Sequence, residues 1–167
     1  MRVSRLGMIL GIAGGIALFT FVQSAAAATT VNCTVSAGGV AFGIYNPLNT
    51  TPAASTGSLR VTCSGSGSGS ANVTVNVSWS TGLSGTYTTR KMFSGLNALN
   101  YNIYWSTTYS QIMGDGSGGS FAGSAGPFTV FAGGSNSVTG TMYGLIPASQ
   151  DVAPGSYADT VTVTVSY

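Results

Sequence analysis

An alternation of hydroxyl-bearing and apolar side chains closes the sequence, from Thr160 to Tyr167. A period of two predicts a β-strand, because successive side chains of a strand point to opposite faces. Such a strand belongs in a β-sandwich, and as the last strand it has no following hairpin partner for its outer edge. We expect another chain to pair there, because an uncovered edge presents free backbone N–H and C=O groups. We expect the added strand to lie in a groove at this edge. The apolar row that would line the groove is Val161, Val163, Val165 and Tyr167.

The first 28 residues have the layout of a secretory signal. Arg2 and Arg5 precede an uncharged apolar run over residues 6–22, and the small residues Ser24–Ala28 follow it. This order predicts export with cleavage near Ala27 or Ala28. The alternative is a membrane anchor, but the run is shorter than the roughly 20 residues that a spanning helix needs. We therefore expect a signal peptide over residues 1–28 and one mature domain over residues 29–167.

The predicted mature chain is nearly uncharged. Its basic residues are Arg60, Arg90 and Lys91, and its acidic residues are Asp115, Asp151 and Asp159. This balance argues against a nucleic-acid partner, because phosphate contacts require many lysines and arginines. It also removes the charge repulsion that keeps soluble domains apart.

Cys33 and Cys63 are the only cysteines. In an exported protein an even pair predicts a disulfide, and we expect both residues to be bonded and buried. Closing a loop of this length stabilises a fold by roughly 3 to 4 kcal/mol in the chain-entropy account. The alternative, a catalytic or metal-binding thiol, lacks suitable partner residues.

Short β-branched and aromatic runs, separated by Gly, Ser, Asn and Pro, predict an all-β sandwich. In two of these runs the inward residues are clear: Leu59, Val61 and Cys63 in one, and Val73, Val75, Val77 and Trp79 in the other. The predicted strands are residues 31–35, 40–44, 58–63, 72–79, 100–105, 128–131, 136–146 and 156–167.

Two glycine-rich segments predict loops. Ser64–Ser70 alternates Ser and Gly, and we interpret it as a long mobile hairpin loop rather than an interdomain linker, because too few residues precede it for a separate domain. Gly114–Ser120 resembles a calcium-binding turn. Its single carboxylate, Asp115, cannot supply the several oxygens that calcium usually requires, so we predict a simple turn.

The residues needed for catalysis are scarce. The sequence contains no histidine, and its acidic residues are all aspartates in separate, turn-like settings. Lys91 and its neighbour Arg90 suggest a solvated strand end. We therefore predict no enzymatic activity, no cofactor, no metal site and no small-molecule substrate. An aromatic cluster could either fill the core or form a ligand platform; its members are Tyr101, Tyr104, Trp105 and Tyr109.

Several segments, in order, resemble the spore coat protein U domain family. The opening is similar at Asn32–Ser36, Val40–Pro47 and Val61–Cys63, and the close at Tyr143–Ala148 and Pro154–Val165. Between them, the similar positions are Tyr87, Arg90, Met92, Leu99, Tyr101, Asn102, Gly114 and Asp115. The resemblance implies an immunoglobulin-like β-sandwich that lacks its final strand.

The resemblance also implies partners and a location. Members include subunits of archaic, Csu-type chaperone–usher pili, whose gap is filled by a strand from a periplasmic chaperone and later by the N-terminal extension of another subunit. This implies export through the periplasm, an outer-membrane usher, and a final place in a surface fibre.

In one respect the sequence departs from the polymerising subunits of this family, which carry a donor segment before the first cysteine. Cleavage near Ala28 would leave only residues 29–32, which span at most roughly 14 Å. We therefore expect a tip or other terminal subunit. The alternatives are a secreted carbohydrate- or surface-binding sandwich and a spore or cell-coat protein.

Overall fold

The computed structural model describes residues 28–167, so the predicted signal segment, apart from Ala28, lies outside the described residues. Within this range no helix is long and apolar enough to cross a membrane. A short 3-10 helix covers Gly82–Ser84. The strands are β1 Thr30–Gly38, β2 Ala53–Ser66, β3 Ser70–Trp79, β4 Arg90–Ser94, β5 Asn97–Tyr104, β6 Ile112–Met113, β7 Ser120–Phe121, β8 Gly123–Phe131, β9 Ser135–Ile146 and β10 Val163–Ser166.

The strands form two sheets, which confirms the predicted all-β sandwich. The first sheet has the order β1-β2-β9-β5-β6-β7, with β4 also paired to β5, and the second has the order β10-β3-β8. All the pairings are antiparallel except that of β6 with β7. Among the described residues, β1 pairs only with β2, and β10 only with β3, so each lies at an edge.

The core between the sheets consists of two groups of buried side chains, and the predicted inward faces of β2 and β3 are confirmed. Leu59, Val61 and Cys63 are buried on β2, and Val73, Val75 and Trp79 on β3, whereas Val77 is half-buried. The first core cluster is Leu59, Trp79, Leu99, Tyr101, Ile103, Met113, Met142 and Ile146. The second core cluster is Val61, Cys63, Val73, Val75 and Val130.

One predicted strand is absent, and another is wrong in extent. Residues 40–44 are irregular, although their sequence alternates as a strand would. Of residues 156–167, only Val163–Ser166 is a strand, with one isolated bridge between Ala158 and Phe93. In both cases a strand-like sequence lacks a neighbouring strand with which to form a continuous ladder. A strand needs this partner, because its backbone N–H and C=O groups form hydrogen bonds with a neighbouring strand rather than within the strand itself.

The predicted hairpin loop at Ser64–Ser70 is also wrong. β2 continues to Ser66 and β3 begins at Ser70, so only three residues form the turn. Because β2 and β3 lie in different sheets, this turn is a crossing from one sheet to the other rather than a hairpin. Gly67 and Gly69 have φ values of 93° and 83°, a backbone conformation that favours glycine.

A disulfide joins Cys33 on β1 to Cys63 on β2, as the cysteine pair predicts. The two residues are directly opposite in the strand register. Cys63 is fully buried and Cys33 is half-buried, so burial is complete for one partner only. The bond reinforces the attachment of an edge strand whose only strand neighbour among residues 28–167 is β2.

Candidate functional site

A groove opens into the sandwich between the segment that follows β1 and the segment that leads into β10. It has a volume of about 440 Å³. Its floor is formed by Trp79, Met92, Tyr101, Ile103 and Met142, which come largely from the first core cluster. The groove therefore exposes the interior of the sandwich, and both Ala37 of β1 and Val163 of β10 line it.

A second cavity of about 780 Å³ continues this groove and shares Val40, Phe42, Met92 and Tyr157 with it. One side of the combined groove runs from residue 37 to residue 47, and we call it the first wall. The other side runs from residue 163 back to residue 152, and we call it the second wall. The two walls thus run in opposite directions along one continuous, largely apolar groove.

The first wall is held against the larger sheet by side chains that fit over two glycines. A Cβ atom at Gly57 would lie 3.0 Å from Val40, and a Cβ atom at Gly144 would overlap both Val40 and Phe42. The ring of Phe42 also packs edge-on against Tyr101, with ring centroids 5.9 Å apart. Because Gly57 and Gly144 have no Cβ atom, the sheet has space for the side chains of Val40 and Phe42 at these two positions.

The far end of the first wall is fixed by a tyrosine. The Tyr45 hydroxyl donates a hydrogen bond to the Pro147 carbonyl at 3.0 Å and accepts one from the Gln150 backbone N–H at 2.8 Å. Closer to β1, the Ser55 hydroxyl donates to the Ala41 carbonyl at 2.6 Å. The wall is thus held by side chains, not by a backbone ladder.

The predicted groove residues of the last strand occupy different positions. Val161 and Val163 line the groove and pack against the first core cluster. Val165 packs against the second core cluster instead, and Tyr167 is 57% exposed. The predicted row therefore contributes two side chains to the groove.

The inward face of β1 opens progressively toward the groove. Val31 and Cys33 are half-buried, but Val35 is 46% exposed and Ala37, which lines the groove, is also exposed. Ala37 is opposite Leu59 in the strand register, and Leu59 is buried. Because directly paired residues share a face of the sheet, Ala37 points into an interior that no described residue covers.

Asp159 is the only charged side chain among the described residues that line the groove. Its Oδ1 atom accepts hydrogen bonds from the backbone N–H groups of Leu83 at 2.8 Å and Thr160 at 2.7 Å. Its Oδ2 atom accepts one from the Tyr101 hydroxyl at 2.6 Å. Burial, followed by this bond to Asp159, raises the pKa of Tyr101, so the phenol stays protonated and continues to donate.

Beneath the floor lies a buried arginine, which corrects the prediction that Arg90 ends a solvated strand. Arg90 is fully buried on β4. Its guanidinium donates to the Ser80 carbonyl at 2.7 and 3.2 Å, the Met113 carbonyl at 2.7 Å and Asn102 Oδ1 at 2.7 Å. It also lies over the Tyr87 ring, 5.3 Å from the centroid. Burial lowers the pKa of Arg90, and the hydrogen bonds to these neutral oxygens stabilise its positive charge.

Asp115 closes the turn predicted at Gly114–Ser120. Its Oδ1 atom accepts hydrogen bonds from the Ser117 hydroxyl at 2.6 Å and the Ser117 backbone N–H at 2.8 Å, and these bonds lower the pKa of Asp115. Among residues 28–167, no group of three or more His, Cys, Asp or Glu side chains could hold a metal ion. The described lining of the groove offers apolar contact and one carboxylate, that of Asp159.

Sequence reasoning missed most of this site. Phe42 and Tyr157 line the groove, but their sequence contexts are those of ordinary strand or loop aromatics. Of the aromatic cluster named from the sequence, Tyr101 both fills the core and lines the groove. Asp159, interpreted as a turn residue, lines the groove together with its neighbours Ala158 and Thr160. Because residues 159–162 do not form a strand, no alternation in the sequence could have placed this carboxylate in the groove.

Comparison with known proteins identifies the family. The Spore Coat Protein U domain model matches residues 18–164, which is most of the sequence. The chain belongs to the spore coat protein U domain family. This confirms the resemblance seen in the opening and closing segments. No curated protein matches this spore coat protein U domain chain.

The fold of this family member is similar to a chain of the CsuC–CsuE chaperone–tip adhesion subunit pre-assembly complex from archaic chaperone–usher Csu pili of Acinetobacter baumannii. The sequence identity is 24% and the TM-score is 0.51, over 83% of this chain and 40% of the other. The chain thus spans two fifths of the length of the solved chain, and the likeness concerns the fold.

Proposed function

We propose that this protein is a non-enzymatic structural subunit of a surface fibre of the chaperone–usher type. Its groove would receive an extended strand, supplied first by a periplasmic chaperone and then by another subunit. An outer-membrane usher would join the subunits after export through the periplasm. Membership in the spore coat protein U domain family supports this proposal, and so does the fold similarity to the Csu chaperone–subunit complex.

The observation that carries the proposal is that each wall of the groove contains a segment with a strand-like sequence that does not form a continuous strand. Residues 40–44 and most of residues 156–162 lack regular pairing. They face each other across an apolar groove that reaches the core. A strand inserted between them would give both walls a backbone partner and would cover the exposed interior in the same step.

The dimensions of the groove define the segment that would fit. The first wall covers residues 37–47, so a strand that paired along all of it, at about 3.3 Å per residue, would have about ten residues. Alternate side chains of that strand would point to the groove floor, which is apolar over most of its length. The partner is therefore an extended segment with apolar residues at every second position.

We further propose that the subunit occupies the tip or another terminal position. Residues 30–38 are already paired in β1, opposite residues 58–66 of β2. If the signal is cleaved near Ala28, only one or two residues precede β1, and they cannot reach into a neighbour's groove. A terminal position would leave this subunit able to accept a strand without donating one, consistent with a role in adhesion and biofilm formation.

A synthetic peptide tests the proposal. Purified mature protein should gain thermal stability as an alternating Val/Thr peptide of about ten residues is added, by about 2.7 kcal/mol at a free concentration of 100 times the Kd. The same peptide with proline at alternate positions should give no gain, because proline removes the backbone N–H donors. The protein alone should remain unpolymerised in light scattering.

Three outcomes would contradict this account. A protein that is stable without a peptide, and gains nothing from one, would be a complete sandwich such as a secreted carbohydrate- or surface-binding domain. Spontaneous growth of long fibres from the protein alone would contradict the terminal position, because it requires a donor segment. Lateral aggregation without strand exchange would favour a coat protein.

A further inference from the structure

We propose that Asp159 makes the groove selective for a strand that carries a lysine or arginine at one defined inward position. This inference rests on the proposed strand-binding function and adds the chemistry of the partner. The partner would thus have apolar residues at most inward positions and one basic residue where its chain passes Asp159.

The position of the carboxylate supports this selectivity. Asp159 lies two residues before Val161 and four before Val163, and all three line the groove. An extended occupant also places alternate side chains on the groove side. One of its inward side chains must therefore pass the carboxylate, while those on either side meet apolar surface.

The two oxygen atoms of the Asp159 carboxylate differ in the number of hydrogen bonds that they accept. Oδ1 has two backbone donors, whereas Oδ2 has one donor, the Tyr101 hydroxyl, among the described residues. A carboxylate oxygen can accept two hydrogen bonds, and Oδ2, which packs against Gly82 on one side, accepts one among the described residues. Arg90 does not donate to Oδ2, because its guanidinium bonds are directed to Ser80, Met113 and Asn102.

When a strand fills the groove, leaving the Asp159 carboxylate without a further hydrogen-bond donor costs free energy. Asp159 is half-buried in the free protein, so water reaches its carboxylate. An inserted strand would displace that water, and burying a carboxylate against an apolar side chain is strongly unfavourable. A lysine or arginine offers a charge-assisted hydrogen bond in its place, and a glutamate would add repulsion.

The test is a register scan with peptides. In the alternating Val/Thr peptide, lysine, leucine or glutamate replaces each residue in turn, with a polyethylene glycol tail for solubility, and the Kd for wild-type protein is measured by calorimetry. We expect lysine to bind better than leucine by at least about tenfold at one inward position only. The preference should weaken as salt is raised.

Asp159→Asn and Asp151→Asn are the matched variants. Both remove one negative charge, but Asp151 is exposed and does not line the groove. The Asp159→Asn variant should lose the lysine preference and bind both the leucine and the glutamate peptide more tightly than wild type does, because no carboxylate is then buried against them. The Asp151→Asn variant should keep the wild-type preference.

Three results would overturn the inference, and the third also overturns the proposed function. A lysine preference that persists in Asp159→Asn, or tight binding without any lysine preference in wild type, overturns the selectivity alone. Failure of every peptide to bind the wild-type protein overturns the proposed strand-binding function and this inference together.

Discussion

Replacing Arg90 with methionine should lower the free energy of unfolding by about 4 kcal/mol or more, a large fraction of the 5 to 15 kcal/mol typical of a domain. Methionine fills part of the volume but leaves Ser80 O and Met113 O without the arginine donor, while Asn102 Oδ1 keeps only the Ile103 backbone N–H. Each buried unpaired acceptor costs about 1 to 3 kcal/mol. Denaturant unfolding with the disulfide intact measures the difference.

Two matched variants separate the hydrogen-bond network from charge alone. Arg90→Lys keeps the charge but cannot reproduce the planar fork of donors, so it should still cost about 2 kcal/mol. Arg60→Met removes an exposed guanidinium that bonds to the Ser137 hydroxyl at 2.9 Å, and it should change stability by less than about 0.5 kcal/mol. An Arg90→Met variant within about 1 kcal/mol of wild type would contradict the network.

A negative charge in the groove should abolish strand binding. Val163→Asp places a carboxylate among Val161, Trp79 and the other groove side chains, and we expect the Kd for the Val/Thr peptide to rise at least about 100-fold. Thr162→Asp, whose side chain is exposed on the other face, should leave the Kd within about threefold of wild type. Equal effects of the two substitutions would refute the assigned facing.

Val163 also packs against the core, so Val163→Asp could lose binding because the protein unfolds. A second pair of variants separates these two causes. Ala37 lines the groove but is exposed in the free protein, so Ala37→Asp should fold normally and still block the peptide. Ser36→Asp, on the opposite face of β1, is its control. Peptide binding by folded Ala37→Asp at wild-type affinity would place the strand elsewhere.

The sequence predicts the fold class well, because its strongest signals are local. The alternation from Asn72 to Trp79 and the spacing of Leu59, Val61 and Cys63 identify inward faces that the structure confirms. The disulfide follows from two cysteines in an exported chain. In each case the pattern and the burial that it predicts involve the same few residues.

Arg90 shows where local reasoning fails. An arginine next to a lysine is usually exposed to solvent, and no neighbouring residue in the sequence indicates a buried site. Its partners come from β3, β5 and β6 or their ends, and only tertiary packing brings their oxygens together. Such a network cannot be read from one segment of sequence.

The groove walls show a different kind of failure. The period of two at residues 40–44 and 156–162 indicates strands, but pairing is a property of two segments, and the chain provides no continuous partner within the described residues. On our account these predictions describe the occupied state of the groove, in which an added strand completes both walls.

Amide hydrogen exchange on a strand-complemented form tests the central proposal most directly. An alternating Val/Thr segment of about ten residues is fused after Tyr167 through a flexible linker, and exchange is compared with the same fusion carrying proline at alternate positions. We expect new protection at residues 40–44 and 157–162 together, because both walls gain a partner for their backbone N–H groups. Unchanged exchange on both walls, or protection of only one of them, would contradict insertion of a strand between them.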